Sequence, residues 1–202
     1  MIVVAAISAL VALIPQEPVL VEGTEVANAA LGDPGSPTVG AASSDVTIVD
    51  FSDYQCSPCK EGEADFERVV AADGRLRVIY KDWAALGPLS KEAAEIALAA
   101  DRQGRYLAVH RAFLRSRLRP SPLTLKVLAV GAGVDWPRLM RDLARDRSAI
   151  DAQLARHAFQ AWSLGLQGPP GYLIGPYLVR GRLSAGALRG YIRDARRHRR
   201  SQ

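Results

Sequence analysis

The chain has 202 residues, 49% apolar and 23% charged, which suffices for one core or one core with a modest insertion and excludes a largely disordered chain. The formal net charge is +5, and five arginines of the excess crowd the C-terminal stretch Arg193–Arg200. That stretch reads as a solvated helix end, where cations suit the helix dipole; with no aromatic-interleaved basic patch, a nucleic-acid partner is not expected.

The chain opens MIVVAAISALVALIP. The apolar run Ile2–Ile14 is shorter than the roughly 20 residues a membrane-spanning helix needs and has the length of a signal-peptide core. A basic leader is missing, and a small-residue motif, Ala27-Asn28-Ala29, follows at some distance. Residues 1–29 are therefore read as a signal peptide or an N-terminal anchor. Export would place the cysteines in an oxidising compartment. The Gly-, Pro-, Ser- and Ala-rich stretch Pro18–Ser44 shows little periodicity and reads as linker, with 30–44 as the lead-in to the domain.

The first strand is expected in VTIVDF, Val46–Phe51, a short β-branched run that leads almost directly into Cys56 and Cys59. KEGEADFERVVAADG follows, with Phe66, Val69 and Val70 at helical spacing and Gly74 as a stop. A second strand covers about Leu76–Lys81, completing a βαβ unit. The pattern then turns helical. Ser90 is the expected cap of a helix that Gly104 ends, and Tyr106, Val109, His110, Phe113 and Leu114 share one face of the next. Pro120 and Pro122 break it; Leu123–Val130 forms a short helix; Asp135 caps one starting at Trp136-Pro137; and a last helix runs from about Ser148 to Leu164. Tyr172–Ile174 and Tyr177–Val179, joined at Gly175-Pro176, read as a hairpin, and a helix over about Ser184–Arg197 closes the chain.

Cys56 and Cys59 are the only cysteines. A zinc site wants four ligands, and His110, His157 and His198 are not spaced to complete one. A purely structural disulfide across two residues closes so small a loop that it stabilises little. The third reading is a dithiol that cycles. A sulfur at the first turn of a helix faces free N–H groups and the positive dipole end, which favour the thiolate. A thiol of pKa about 8.5 is only about 3% thiolate at pH 7, whereas one of pKa about 6 is about 90%. Cys56 at the helix mouth would attack, Cys59 one turn on would resolve, and Pro58 fits an early helical position.

The segment VTIVDFSDYQCSPCK resembles the active-site segment of the thioredoxin superfamily. The helical block, from KDWAALGPLSKEAAEIALAADRQGRYLAVHRAFL onward, resembles the DsbA-like branch, and GLQGPPGYLIG is similar to that family's cis-proline loop. The match covers roughly Val46–Arg197. It implies an α/β thioredoxin fold over 45–200, with an all-helical insertion at about 88–164 between the βαβ and ββα halves. It implies an exported thiol–disulfide oxidoreductase acting on cysteine-containing client proteins, in first place as a disulfide-forming oxidase. Reductase or isomerase action is the alternative, and a peptide-binding module with a locked disulfide is a rival of another class. No cofactor or metal is expected; a membrane redox partner and a monomeric state are. In residues, the resemblance makes Cys56 the nucleophile, Cys59 the resolving thiol and Pro170 the cis-proline, with Pro169, Ser57 and Pro58 facing substrate. Asp50 falls where the family places a buried acid beneath the pair, and Lys81 near that acid's cationic partner; the plainer reading of both is a strand-end salt bridge.

Two departures stand out. The residues between the cysteines are Ser57-Pro58, without the histidine that helps stabilise the thiolate in DsbA. Pro169 stands where the family usually has threonine, so a backbone N–H that would pair with substrate is missing, on the order of 1 kcal/mol. His110 is expected to be a packed core histidine; Trp83, Trp136 and Trp162 are expected in the core or lining a groove; Lys60 is expected to be a solvated helix residue whose charge modestly favours thiolate.

Overall fold

The structure, a computed structural model, describes residues 17–41 and 43–202. The apolar run Ile2–Ile14 lies outside them. The elements are β1 (Val19–Leu20), α1 (Glu25–Gly32), β2 (Thr38–Val39), β3 (Val46–Ser52), α2 (Ser57–Ala72), β4 (Leu76–Asp82), α3 (Pro88–Asp101), α4 (Tyr106–Arg115), α5 (Pro122–Gly131), α6 (Trp136–Ser163), β5 (Gly171–Ile174), β6 (Tyr177–Arg180) and α7 (Ala185–Arg200). They form one sheet in the order β1-β6-β5-β3-β4-β2. Strands β3 and β4 are parallel, as the crossover through α2 requires, and the other pairings are antiparallel. Four helices, α3 to α6, sit between the βαβ and ββα halves.

Side chains alternate across β3 and β4, and this alternation divides the molecule. Ile48, Val78, Tyr80 and Tyr172 pack in one cluster with Phe66 and Val69 of α2, Ala93 and Ala97 of α3, and Leu188 and Ile192 of α7. Val49, Phe51, Ile79 and Leu173 face the other way, against Ala27 and Ala30 of α1 and Ala161 near the end of α6. Both faces are covered, so the strands read as continuous apolar runs.

Residues read as linker turn out to be part of the sheet. β1 pairs with β6 at one edge, β2 pairs with β4 at the other, and α1 crosses the face between them. Thr24 caps α1 by accepting the N–H of Ala27. The helix buries only alanines, which leave no strong hydrophobic periodicity to read. The motif Ala27-Asn28-Ala29 therefore lies inside a packed helix.

Two further differences concern the insertion. Pro88, not Ser90, opens α3; the Ser90 hydroxyl is inside, donating to Asp53 at 2.8 Å. The helix expected from Ser148 is the second half of α6, which runs unbroken for 28 residues from its Asp135 cap. No glycine or proline interrupts 138–163, and Asp142 bridges Arg138 and Arg145 one turn either side. The C-terminal arginines are not uniformly solvated: Arg196 grips Asp45 and Asp73, fastening α7 to the start of β3 and the end of α2.

Candidate active site

Strand β3 delivers the chain to Cys56 through a tightly tied turn. Asp53 accepts hydrogen bonds from the N–H groups of Gln55 (2.7 Å) and Leu86 (3.0 Å) and from Ser90. Aspartate two residues before a bonded N–H is a local turn-former, and here it also ties the turn to the insertion. Cys56 is the N-cap of α2, its Sγ 3.1 Å from the N–H of Cys59 that it accepts. Cys56 and Cys59 form a disulfide with their Cα atoms 5.2 Å apart. A sulfur in this position is stabilised as thiolate by the helix end once the bond opens. Ser57 and Pro58 are exposed at the helix mouth.

The loop before β5 lies against the pair. The carbonyl oxygen of Pro169 stands 3.4 Å from Cys56 Sγ. The Pro169–Pro170 peptide bond is cis, Pro170 is buried, and its carbonyl accepts the N–H of Gly181 at 2.8 Å. Pro169 is half-buried and offers no N–H on this edge.

Strands β3 and β4 and helix α2 carry a set of buried acids. Asp50 is 3% exposed, and burial pushes its carboxyl up to about 7 against the pull of the Ser52 hydroxyl, which donates at 2.6 Å. Glu63, four residues after Cys59 on the buried side of α2, is likewise pushed up to about 7 by burial and by the charge of Asp50. Asp82, at the end of β4, is raised to about 7 by burial while Tyr54 (2.6 Å) and Tyr106 (3.1 Å) donate to it. Carboxyls titrating near neutrality can give or take a proton at pH 7, as a thiol leaving or entering its thiolate form demands.

The pairing expected of Asp50 and Lys81 is corrected by the register. Asp50 stands opposite Tyr80, and Lys81 opposite Phe51, so Lys81 is on the other face of the sheet. Its buried ammonium donates to Asp33 (2.7 Å) and Ser36 (3.0 Å) at the end of α1, with the equally buried His157 against Ser36. That cluster anchors the N-terminal segment.

His110 is in the core, as read from its helix face, and its Nδ1 meets the Tyr54 hydroxyl at 3.0 Å. Burial depresses its pKa to about 3, so it is neutral. Trp83 is buried, Trp136 half-buried, and Trp162 is exposed with its ring edge-on to Trp83. Sequence reasoning missed Glu63 and Asp82. Glu63 had a signal: it lies on the stripe through Cys59 and Phe66 that faces the core.

A family model described as Thioredoxin matches residues 33–194, and the chain belongs to that family. Among solved structures, it is 32% identical to a thioredoxin-like oxidoreductase from Silicibacter pomeroyi DSS-3, covering 84% of this chain and 97% of that one, with a TM-score of 0.79. It is 26% identical to a periplasmic thioredoxin-like protein from Salmonella enterica serovar Typhimurium, covering 85% and 95%, with a TM-score of 0.72. The fold is shared with the thiol-disulfide exchange protein alpha-DsbA2 from Wolbachia pipientis, at 24% identity over 84% and 91% of the chains and a TM-score of 0.79. A comparison with curated proteins returned no match. A CxxC disulfide at a helix mouth, on a thioredoxin-family fold with a helical insertion, makes this a thiol–disulfide oxidoreductase by class, and the fold is the one seen in DsbA-like exchange proteins.

Proposed function

We propose that the protein is exported and forms disulfides in cysteine-containing clients. The observation that carries this is the disulfide at the mouth of α2, with Cys56 as helix cap and the Pro169 carbonyl beside its sulfur. A client thiolate attacks Cys56 Sγ, the Cys56–Cys59 bond breaks, and Cys59 leaves as thiolate. A proton from the Asp50 and Glu63 pair neutralises it. A second client thiolate then attacks the client sulfur of the mixed disulfide, releasing an oxidised client and leaving the protein as a dithiol. A membrane redox partner would reoxidise it. Pro169, Pro170, Ser57 and Pro58 form the surface against which the client chain rests. Lys81, facing away, has no part in the reaction.

Support for export comes from the apolar start of the chain and from the Salmonella relative, which is periplasmic. Among the described residues no helix is long and apolar enough to cross a membrane. Processing after Ala29 would remove Ala27 from the core, so a cut before Val19 fits the fold better than the motif at 27–29.

The test is the reduction potential of the Cys56/Cys59 pair against glutathione, followed by mass after alkylation. Without a histidine between the cysteines, it should fall between about −120 mV, as in DsbA, and about −270 mV, as in thioredoxin. A value at the thioredoxin end would make the protein a reductase or isomerase. A pair that never equilibrates, with Cys56→Ala fully active, would make it a binding module.

A further inference from the structure

Beside the cysteine pair, between the first turns of α2 and the chain leaving α4, lies a groove of about 620 Å³. This is within the size range of ligand-binding clefts. Ser57, the residue between the cysteines, forms its inner end; Ala64 and Leu114 supply an apolar floor, and Leu118 lines it with its side chain exposed. Apart from Ser57, the reaction described above uses none of its lining.

Its charge is one-sided. Lys60, Arg115 and Arg117 line it, against one carboxylate, Glu61. Glu67 is shared between Arg111 and Arg115, so one carboxylate answers two guanidiniums, and Glu61 lies 3.7 Å from Arg182. Among the described residues that leaves Lys60 and Arg117 without a carboxylate partner. The Lys60 ammonium has only the carbonyl oxygen of Ser116 at 3.4 Å, and partial burial pushes its pKa down. The charge of Asp53 offsets part of this, and a partly desolvated cation with no ion-pair partner is still stabilised by an incoming anion.

We infer that this groove binds an acidic segment of the client polypeptide next to its reacting cysteine, and so selects among clients. The inference rests on the disulfide-exchange reading. A client joined to Cys56 has its next residues at the Ser57 end of the groove. In an extended chain, positions two to four from its cysteine lie about 7–13 Å away, within reach of Lys60 and Arg117. The aliphatic stems of acidic side chains would cover Ala64 and Leu114 while their carboxylates meet the cations.

The experiment measures second-order rates of disulfide transfer from the oxidised protein to three peptides that each carry a pair of cysteines, flanked by Asp/Glu, by Asn/Gln or by Lys. The acidic peptide should react about tenfold faster than the neutral one at low ionic strength, as expected for steering by local charge. The ratio should fall toward one at high salt. Arg117→Glu, and Lys60→Glu with it, should bring it to or below one. Because the acid-to-neutral ratio of each variant is compared with that of the unchanged protein, the reactivities of the protein's sulfur and of the peptides' own thiols cancel. Equal rates at low salt would overturn the groove and leave the redox reading intact. So would an acid preference that neither substitution, nor Arg117→Gln if the reversals fold poorly, diminishes. Failure of the neutral peptide to react at all would instead overturn the redox reading.

Discussion

Replacing Asp50 with asparagine should stabilise the oxidised protein at alkaline pH and slow its chemistry at the same time. In the fold, the carboxyl titrates at about 7 against an ordinary 3.8, because burial penalises its charge. Below about pH 4 it is protonated in folded and unfolded chains alike, and its burial as a neutral acid is free of ionisation cost. Between about pH 4 and 7 the unfolded chain ionises first, so stability falls; above about 7 the loss is complete. A shift of about three units corresponds to about 4 kcal/mol at pH 8, and to less than half of that at pH 5. Asparagine keeps the oxygen that the Ser52 hydroxyl uses and cannot ionise. Urea unfolding of both proteins should thus show the variant gaining about 2–3 kcal/mol between about pH 5 and pH 8. The gain would be somewhat larger if Glu63, relieved of its neighbour's charge, also titrates lower. Meanwhile departure of the Cys59 thiolate loses a proton source, and exchange at neutral pH should slow by about tenfold or more. A stability difference that does not move with pH would refute the placement of Asp50 as a buried, near-neutral acid. An unchanged exchange rate would remove it from the reaction.

The remaining expectations are simpler. Lys81→Met should destabilise in urea unfolding, by less than the roughly 3–5 kcal/mol of a fully uncompensated buried charge because Arg156 stays 3.2 Å from Asp33; adding Asp33→Leu should recover much of that, and neither change should alter the redox potential. A potential that shifts with Lys81→Met would restore a link to the cysteines across the sheet. Pro169→Thr supplies a backbone N–H beside Cys56 and should tighten peptide binding by about 1 kcal/mol, read by calorimetry on a Cys56→Ala, Cys59→Ala background. Unchanged affinity there would mean that the client chain does not pair with this edge.

Much of the site was written locally. A β-branched strand leading into two cysteines, with proline one residue after the first helical position, puts Cys56 at a helix cap with no tertiary help. The order of strands and helices, the position of Cys59 and the core role of His110 depend on short-range periodicity, and were legible for that reason, whereas Pro170 was legible only through the resemblance of its loop to the family's. Glu63 was legible in principle, since its place on the helix face is fixed by its spacing from Cys59.

What the sequence alone determined is therefore what neighbours in the chain decide: the caps at Cys56 and Asp135, the periods and the CxxC pair. The tertiary structure decided the rest, because it turns on register and distant contact. Whether Lys81 meets Asp50 depends on how β4 slides against β3, and the observed register sends the two to opposite faces. Residues 19–39 carry too little apolar periodicity to announce themselves, yet both edges of the sheet are open to them, and Asp33 finds Lys81 there. The near-neutral acids, too, come from burial among elements far apart in sequence, which no local pattern records.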